Sequence, residues 1–175
     1  MTEQQFDRNT WQTPKYVFNW LDKRFGFDID GCANEKNALC SSWVGEGSPL
    51  GSDFLDTNTP YPYRNLRFYV NPPYSEVAPF LMAARELKDK GHLVVMLLNN
   101  DKSTQWYQNH IHGVANEVID IVGGRIAFIH PVTKQEIKGN SKGQMIVVFD
   151  PAMQDFVQRS VSLDFVKKVG GYDGK

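Results

Sequence analysis

The sequence predicts an α/β fold with an open sheet, and three observations carry that prediction. Two apolar, strand-like runs, Arg67–Val70 and residues 92–98, flank a segment in which Val77, Phe80, Leu81, Ala84 and Leu87 recur at helical spacing. A strand, a helix and a second strand in that order imply a parallel pair joined by a right-handed crossover. The stretch before them opens with an amphipathic pattern, and the stretch after them returns to apolar runs of strand length.

Taken in order, residues 1–10 lack periodicity and are expected to form a loose arm. Thr13 precedes Pro14 as a plausible N-cap, and Val17, Phe18, Leu21 and Phe25 then mark a helix over residues 14–25 that Gly26 stops. Residues 27–30 alternate apolar and acidic side chains, as a strand entering the Gly31-Cys32-Ala33 turn would. Residues 35–40 have room for only a brief helix. Residues 42–66 then dissolve into Gly, Ser, Pro, Thr and aromatic residues, and a loop of that length in a compact domain is usually functional. The second half is more regular. It predicts a helix ending before Gly91, a helix near residues 103–110, strands at Glu117–Val122, 125–129 and Gln144–Phe149, and a helix near 153–159. Strands 125–129 and 144–149 are expected to form an antiparallel hairpin around the polar loop 130–143, whose Gly139-Asn140 tip suits a loop that orders on binding.

Composition excludes several classes. With 175 residues, 41% of them hydrophobic and 22% charged, the chain has the size and balance of one soluble domain. No apolar run approaches a membrane span and the amino terminus lacks a signal-peptide pattern, so a cytoplasmic location is expected. Cys32 and Cys40 have no Cys or His neighbours at zinc-binding spacing and are expected to be free thiols. His110 and His112, two apart, face different directions on a helix, and no metal site is expected. A formal net charge of -1 rules out a globally basic nucleic-acid binder but not a local cluster of lysines and arginines.

The chemistry concentrates in Asn71-Pro72-Pro73-Tyr74-Ser75, placed between a strand and a helix, at the carboxyl edge where open α/β sheets gather ligands. Each proline restricts the residue before it to extended conformations, so the Asn71 side chain and the Pro72 carbonyl are held in fixed relation. The competing structural interpretation is a strand-to-helix turn or a polyproline ligand such as Pro60-Tyr61-Pro62-Tyr63.

From Trp11 to about Phe149 the chain resembles the phage N-6-adenine DNA methyltransferases, the small Dam-like family. The resemblance rests on Trp11-Gln12-Thr13-Pro14; Phe27-Asp28-Ile29-Asp30-Gly31-Cys32-Ala33 with Asn37 and Cys40; Asn71-Pro72-Pro73-Tyr74-Ser75; Leu97-Leu98-Asn99-Asn100-Asp101 with Thr104 and Trp106; and Gly124-Arg125-Ile126-Ala127-Phe128. It implies a Rossmann-like methyltransferase sheet, S-adenosylmethionine as donor without a metal, double-stranded DNA as partner, and, for a phage-encoded protein, action in the host cytoplasm. It also assigns residues. Asn71, Pro72, Pro73 and Tyr74 would form the catalytic motif, with Asn71 and the Pro72 carbonyl accepting the N-H groups of an amine whose lone pair must turn towards the methyl group. Thr13 and Pro14 would belong to an amino-terminal cofactor motif. Asp30 would face the methionine or ribose part, and Asp53 with Phe54 the adenine part. Ser75 would contact substrate, and Phe128 would pack against a flipped base opposite Tyr74.

Two departures stand out. Gly31 is followed by Cys32 and Ala33 rather than by a Gly-x-Gly loop, and only twenty-two residues separate Asp30 from Asp53. A sheet truncated on that side is therefore expected. Lys134, Lys138 and Lys142 punctuate loop 130–143 and are the candidate phosphate contacts. The same acceptor chemistry would serve cytosine's exocyclic amine or a glutamine amide, and a methyltransferase-like fold that binds DNA without turnover is the alternative from another class.

Overall fold

Seven strands form one sheet, and helices cover both of its faces. The computed structural model describes residues 8–174; of the loose arm expected over residues 1–10, residues 1–7 lie outside them, and Arg8–Thr10 form a short 3-10 helix rather than a loose segment. In chain order the elements are α1 (Lys15–Phe25), β1 (Ile29–Asp30), β2 (Ser42–Trp43), β3 (Arg67–Val70), α2 (Val77–Asp89), β4 (Leu93–Asn99), α3 (Gln105–His110), β5 (Glu117–Val122), β6 (Gln144–Phe149), β7 (Val157–Ser162) and α4 (Leu163–Gly170). The strand order is β2-β1-β3-β4-β6-β5-β7, and only β6 runs against the others. This is the expected Rossmann-like α/β sheet, and it narrows to two-residue strands, β1 and β2, on the side expected to be truncated.

Alternation along the strands divides the core in two. Phe68, Val70, Val94, Met96, Leu98, Met145, Val147 and Phe149 pack with α2 and α3. Tyr69, Leu93, Val95, Leu97, Ile146 and Val148 turn to the opposite face, towards α1 and α4. Strands buried on both faces must be apolar throughout, and β4 and β6 are so for this reason.

Both helices on the second face end in left-handed glycines, Gly26 with φ 66° and Gly171 with φ 73°. They pack closely because Gly170 has no Cβ; one there would lie 1.9 Å from the Tyr16 carbonyl oxygen. Lys23 Nζ donates to the Val169 carbonyl at 2.6 Å, satisfying the end of α4 from α1.

Four further sequence expectations change. Thr13 does not cap α1; the helix has no side-chain cap, Pro14 stands at the N-cap, and the Thr13 hydroxyl bonds Tyr69 instead. Residues 35–40 form turns rather than a helix. Residues 125–129 form no strand of the sheet and do not pair with β6, because β4 and β5 take both of its edges. Both of these partners are antiparallel to β6, and Ile129 bridges Gln12 and Glu136 instead. Residues 153–159 are not helical. Asn116, almost fully buried, donates to the carbonyls of Met153 (3.1 Å) and Asp155 (3.0 Å) and accepts the Asp150 N-H (2.9 Å), which holds those carbonyls away from a helical ladder. The chain continues as β7, whose Ser162 Oγ then caps α4 by accepting the Phe165 N-H.

Candidate active site

The carboxyl ends of β1 and β3 lie side by side, since Ile29 pairs with Phe68 and Asp30 with Tyr69 in parallel register. β3 runs out into Asn71-Pro72-Pro73-Tyr74. The Pro73 carbonyl accepts the Glu76 N-H at 3.1 Å and turns the chain towards α2, while among the described residues none donates to the Pro72 carbonyl.

Asn71 is the most informative side chain. Its Nδ2 donates to the Trp11 carbonyl at 3.3 Å. A carbonyl only accepts, so the amide nitrogen must face it and Oδ1 must face away. That Oδ1 is buried and, among the described residues, has no hydrogen-bond partner. An unmade bond of this kind costs about 1–3 kcal/mol, so a donor arriving from outside would be favoured there.

Tyr74 is half-buried, its hydroxyl 3.4 Å from the Leu97 carbonyl, its ring edge-on to Phe128 at 6.0 Å. Burial pushes its phenol pKa upward, so the hydroxyl stays neutral. Phe128 is 1% exposed and also meets the Trp11 ring at 5.8 Å. It is brought to the site, but as a buried ring backing Tyr74. Ser75 is exposed, yet its N-H and Oγ are both engaged. Its N-H donates to Asn9 Oδ1 (3.2 Å) and its Oγ accepts from Asn9 Nδ2 (2.8 Å).

On the β1 side, Asp30 is 4% exposed and accepts the N-H groups of Leu39 (3.1 Å) and Cys32 (3.3 Å). Burial outweighs those two bonds and raises its pKa to about 6. Asp53 is exposed and caps its own turn at the Leu55 N-H, 2.9 Å. Burial first, and then the negative charges of Asp30 and Asp53, push the Cys32 thiol pKa up to about 12. Phe54 is a core residue, stacked on Phe80 at 5.7 Å and lying beneath Gly31, where a Cβ would meet its ring at 3.1 Å. Thr13 Oγ1 lies 2.6 Å from the Tyr69 hydroxyl, which in turn senses Tyr74 and Asp30, so Thr13 joins the two sides. Pro14 is buried next to it.

This cluster offers acceptors, the Asp30 and Asp53 carboxylates, around the end of β1. A ligand rich in donors, with an ammonium, ribose hydroxyls and an adenine amine, matches that set; S-adenosylmethionine is such a molecule. Among the described residues no three His, Cys, Asp or Glu side chains gather as a metal site would require.

The three lysines separate. Lys134, at a left-handed φ of 60°, reaches Gln12 Oε1 at 3.3 Å; Lys138 pairs with Glu136 at 3.1 Å; Lys142 lies close enough to Asp101 to stabilise its charge. Loop 130–143 is tied down by Ile137 N-H to the Phe128 carbonyl (2.7 Å), Asn140 Nδ2 to the Ile126 carbonyl (2.9 Å), and an amide relay from Asn140 through Gln144 to Asn99. Sequence reasoning missed Asn9, the Trp11 carbonyl and Tyr69. Only the Trp11-Gln12-Thr13-Pro14 motif pointed near them.

A Rossmann-like sheet in which an interior strand, β3, ends in Asn-Pro-Pro-Tyr, with an unpartnered amide oxygen at that end, is the arrangement of an amino methyltransferase. The sequence profile of the DNA N-6-adenine-methyltransferase (Dam) family matches residues 2–170, and the chain belongs to that family. It is 35% identical over 151 residues to a DNA N-6-adenine-methyltransferase of Haemophilus phage HP1 (strain HP1c1), covering 83% of this chain and 80% of the relative. It is 30% identical over 168 residues to the enzyme of the same name from Escherichia phage T1, covering 87% of this chain and 67% of the relative.

Proposed function

We propose that the protein transfers a methyl group from S-adenosylmethionine to the exocyclic N6 amine of adenine in double-stranded DNA, acting in the cytoplasm of a phage host. The observation that carries this reading is Asn71 Oδ1, a buried acceptor oriented away from its own anchor and lacking a donor. Both phage relatives carry names for this activity.

When bound, S-adenosylmethionine supplies an electrophilic methyl on a sulfonium. Thr13, Pro14, Asp30 and Asp53 would hold it around the end of β1, with Phe54 supporting Gly31 from below. Asn71 Oδ1 and the Pro72 carbonyl each accept one N-H of the amine, which turns its lone pair out of conjugation and towards the methyl group. Pro72 and Pro73 keep the two acceptors in fixed relation. Tyr74, its ring steadied by Phe128, offers a face for a base taken out of the stack. After transfer the nitrogen is acidic and loses a proton without a strong base. Lys134 and Lys142 flank this edge as phosphate contacts.

Replacing Asn71 with alanine tests the assignment. We expect turnover to fall by an amount worth about 2–4 kcal/mol of barrier, with S-adenosylmethionine affinity by calorimetry nearly unchanged. A variant with near-normal turnover would remove Asn71 from the mechanism.

A further inference from the structure

We propose that residues 9–11 are a positioning clamp for the acceptor loop, in which the Asn9 carboxamide and the Trp11 carbonyl hold opposite ends of Asn71–Ser75 and thereby aim Asn71 Oδ1. The proposal rests on the reading of Asn71 as the amine acceptor. At one end, the Trp11 carbonyl takes the Asn71 amide nitrogen at 3.3 Å and dictates which way the carboxamide faces. At the other, Asn9 engages Ser75 reciprocally, donating to Oγ at 2.8 Å and accepting the backbone N-H at 3.2 Å.

Beyond the Pro73–Glu76 turn, the helix after the loop adds little support. α2 begins without a side-chain cap, and its N-cap residue Glu76 has φ -139° and ψ 55°. The clamp is itself fixed to the sheet side. Gln12 and Ile129 exchange two backbone bonds (3.0 and 2.9 Å), Trp11 N-H donates to the Arg8 carbonyl (3.2 Å), and the Trp11 ring lies on Phe128. The segment joins the acceptor loop to the start of loop 130–143. The clamp also explains why an amide stands at residue 71 here: a carboxylate would set an oxygen against the Trp11 carbonyl, two acceptors without a proton between them.

The test compares Asn9→Leu, Asn9→Asp, Ser75→Ala and the Asn9→Leu/Ser75→Ala pair with the wild type. Aspartate at position 9 can accept both the Ser75 N-H and the Ser75 hydroxyl, so it keeps two bonds; leucine keeps neither. For Asn9→Leu we expect kcat to fall about 10- to 100-fold, the scale of a misplaced reacting group, with KM for DNA and S-adenosylmethionine affinity within about threefold of wild type. Asn9→Asp should recover to within about threefold, and the double variant should be no worse than Asn9→Leu. Hydrogen exchange supplies a readout independent of turnover: in Asn9→Leu the amides of Asn71, Tyr74, Ser75 and Glu76 should exchange faster while those of β4 do not change. Unchanged exchange there, or a loss confined to KM or cofactor affinity, or an Asn9→Asp variant as poor as Asn9→Leu, overturns the clamp. If Asn9→Leu does not fold, Ser75→Ala decides by the same exchange measurement. A wild-type protein that makes no N6-methyladenine contradicts the functional reading instead, and leaves the exchange result to judge the clamp.

Discussion

Asp30 and Asn71 stand on neighbouring strands with opposite electrostatic problems. Asn71 holds an acceptor that lacks a donor, whereas Asp30 holds a carboxylate that burial discourages from ionising, with a pKa near 6. A raised pKa means that the folded state keeps this proton where the unfolded chain has lost it. Stability therefore falls as pH rises from about 4 to about 6, and the charge is fully formed only above that window. A donor-rich cofactor prefers the ionised carboxylate. We predict that S-adenosylmethionine affinity, measured by calorimetry, rises as pH increases through about 6, and that Asp30→Asn flattens this dependence. At this scale the sequence was informative where chemistry is local. Asn71 and Tyr74 were recognisable from their motif, and Asp30 from its place at a strand end. Asn9 and Tyr69 were not, because their partners lie 66 and 56 residues away. Nor does a linear motif reveal that Asn9 engages the Ser75 N-H and Oγ.

Among the elements, the strand-helix-strand unit of β3, α2 and β4 was legible because strands buried on both faces leave continuous apolar runs. The errors have specific causes. Residues 125–129 carry a strand-like pattern, but β6 is already paired on both edges, so they bridge Gln12 instead. Residues 153–159 lose their helix to one buried side chain, Asn116, which claims two of its carbonyls. Loop 130–143 bears on DNA contact through charges that differ in freedom. Lys138 is paired with Glu136, and Glu136 also accepts from the Tyr172 hydroxyl at 2.6 Å, so this lysine is partly neutralised. Replacing Lys134, Lys138 and Lys142 together with alanine should weaken DNA binding and flatten the salt dependence by roughly 1–2 units of log-log slope rather than the full value for three phosphates. Binding measured from low to moderate salt checks this. An unchanged slope would take the loop out of the DNA interface.

For the whole molecule, the amino-terminal ends of the strands are held by charge and the carboxyl ends by chemistry. Glu117, 4% exposed at the start of β5, accepts two bonds from Arg24 of α1 (2.9 and 2.6 Å) and one from Arg159 of β7 (2.7 Å). Burial works against its ionisation most strongly, yet the two guanidiniums together hold its carboxyl below the ordinary glutamate range. A depressed pKa contributes stability that is present above the unfolded value, near 4.3, and is lost as pH falls through the lower folded one. Glu117→Gln should cost about 1–2 kcal/mol at neutral pH, since both arginines are partly exposed, and should reduce the acid sensitivity of unfolding. Denaturant melts at pH 7 and pH 4 measure both effects. This pair of arginines joins α1, β5 and β7 across the sheet, a long-range arrangement that sequence periodicity does not encode.

The central claim is that the acceptor at the end of β3 receives an adenine amine. Mass spectrometry of nucleosides from double-stranded DNA incubated with the protein and S-adenosylmethionine tests it most directly. The account predicts N6-methyladenine without N4-methylcytosine, and its loss with Asn71→Ala. Methylcytosine alone, or methyl transfer confined to a protein amide, would contradict it.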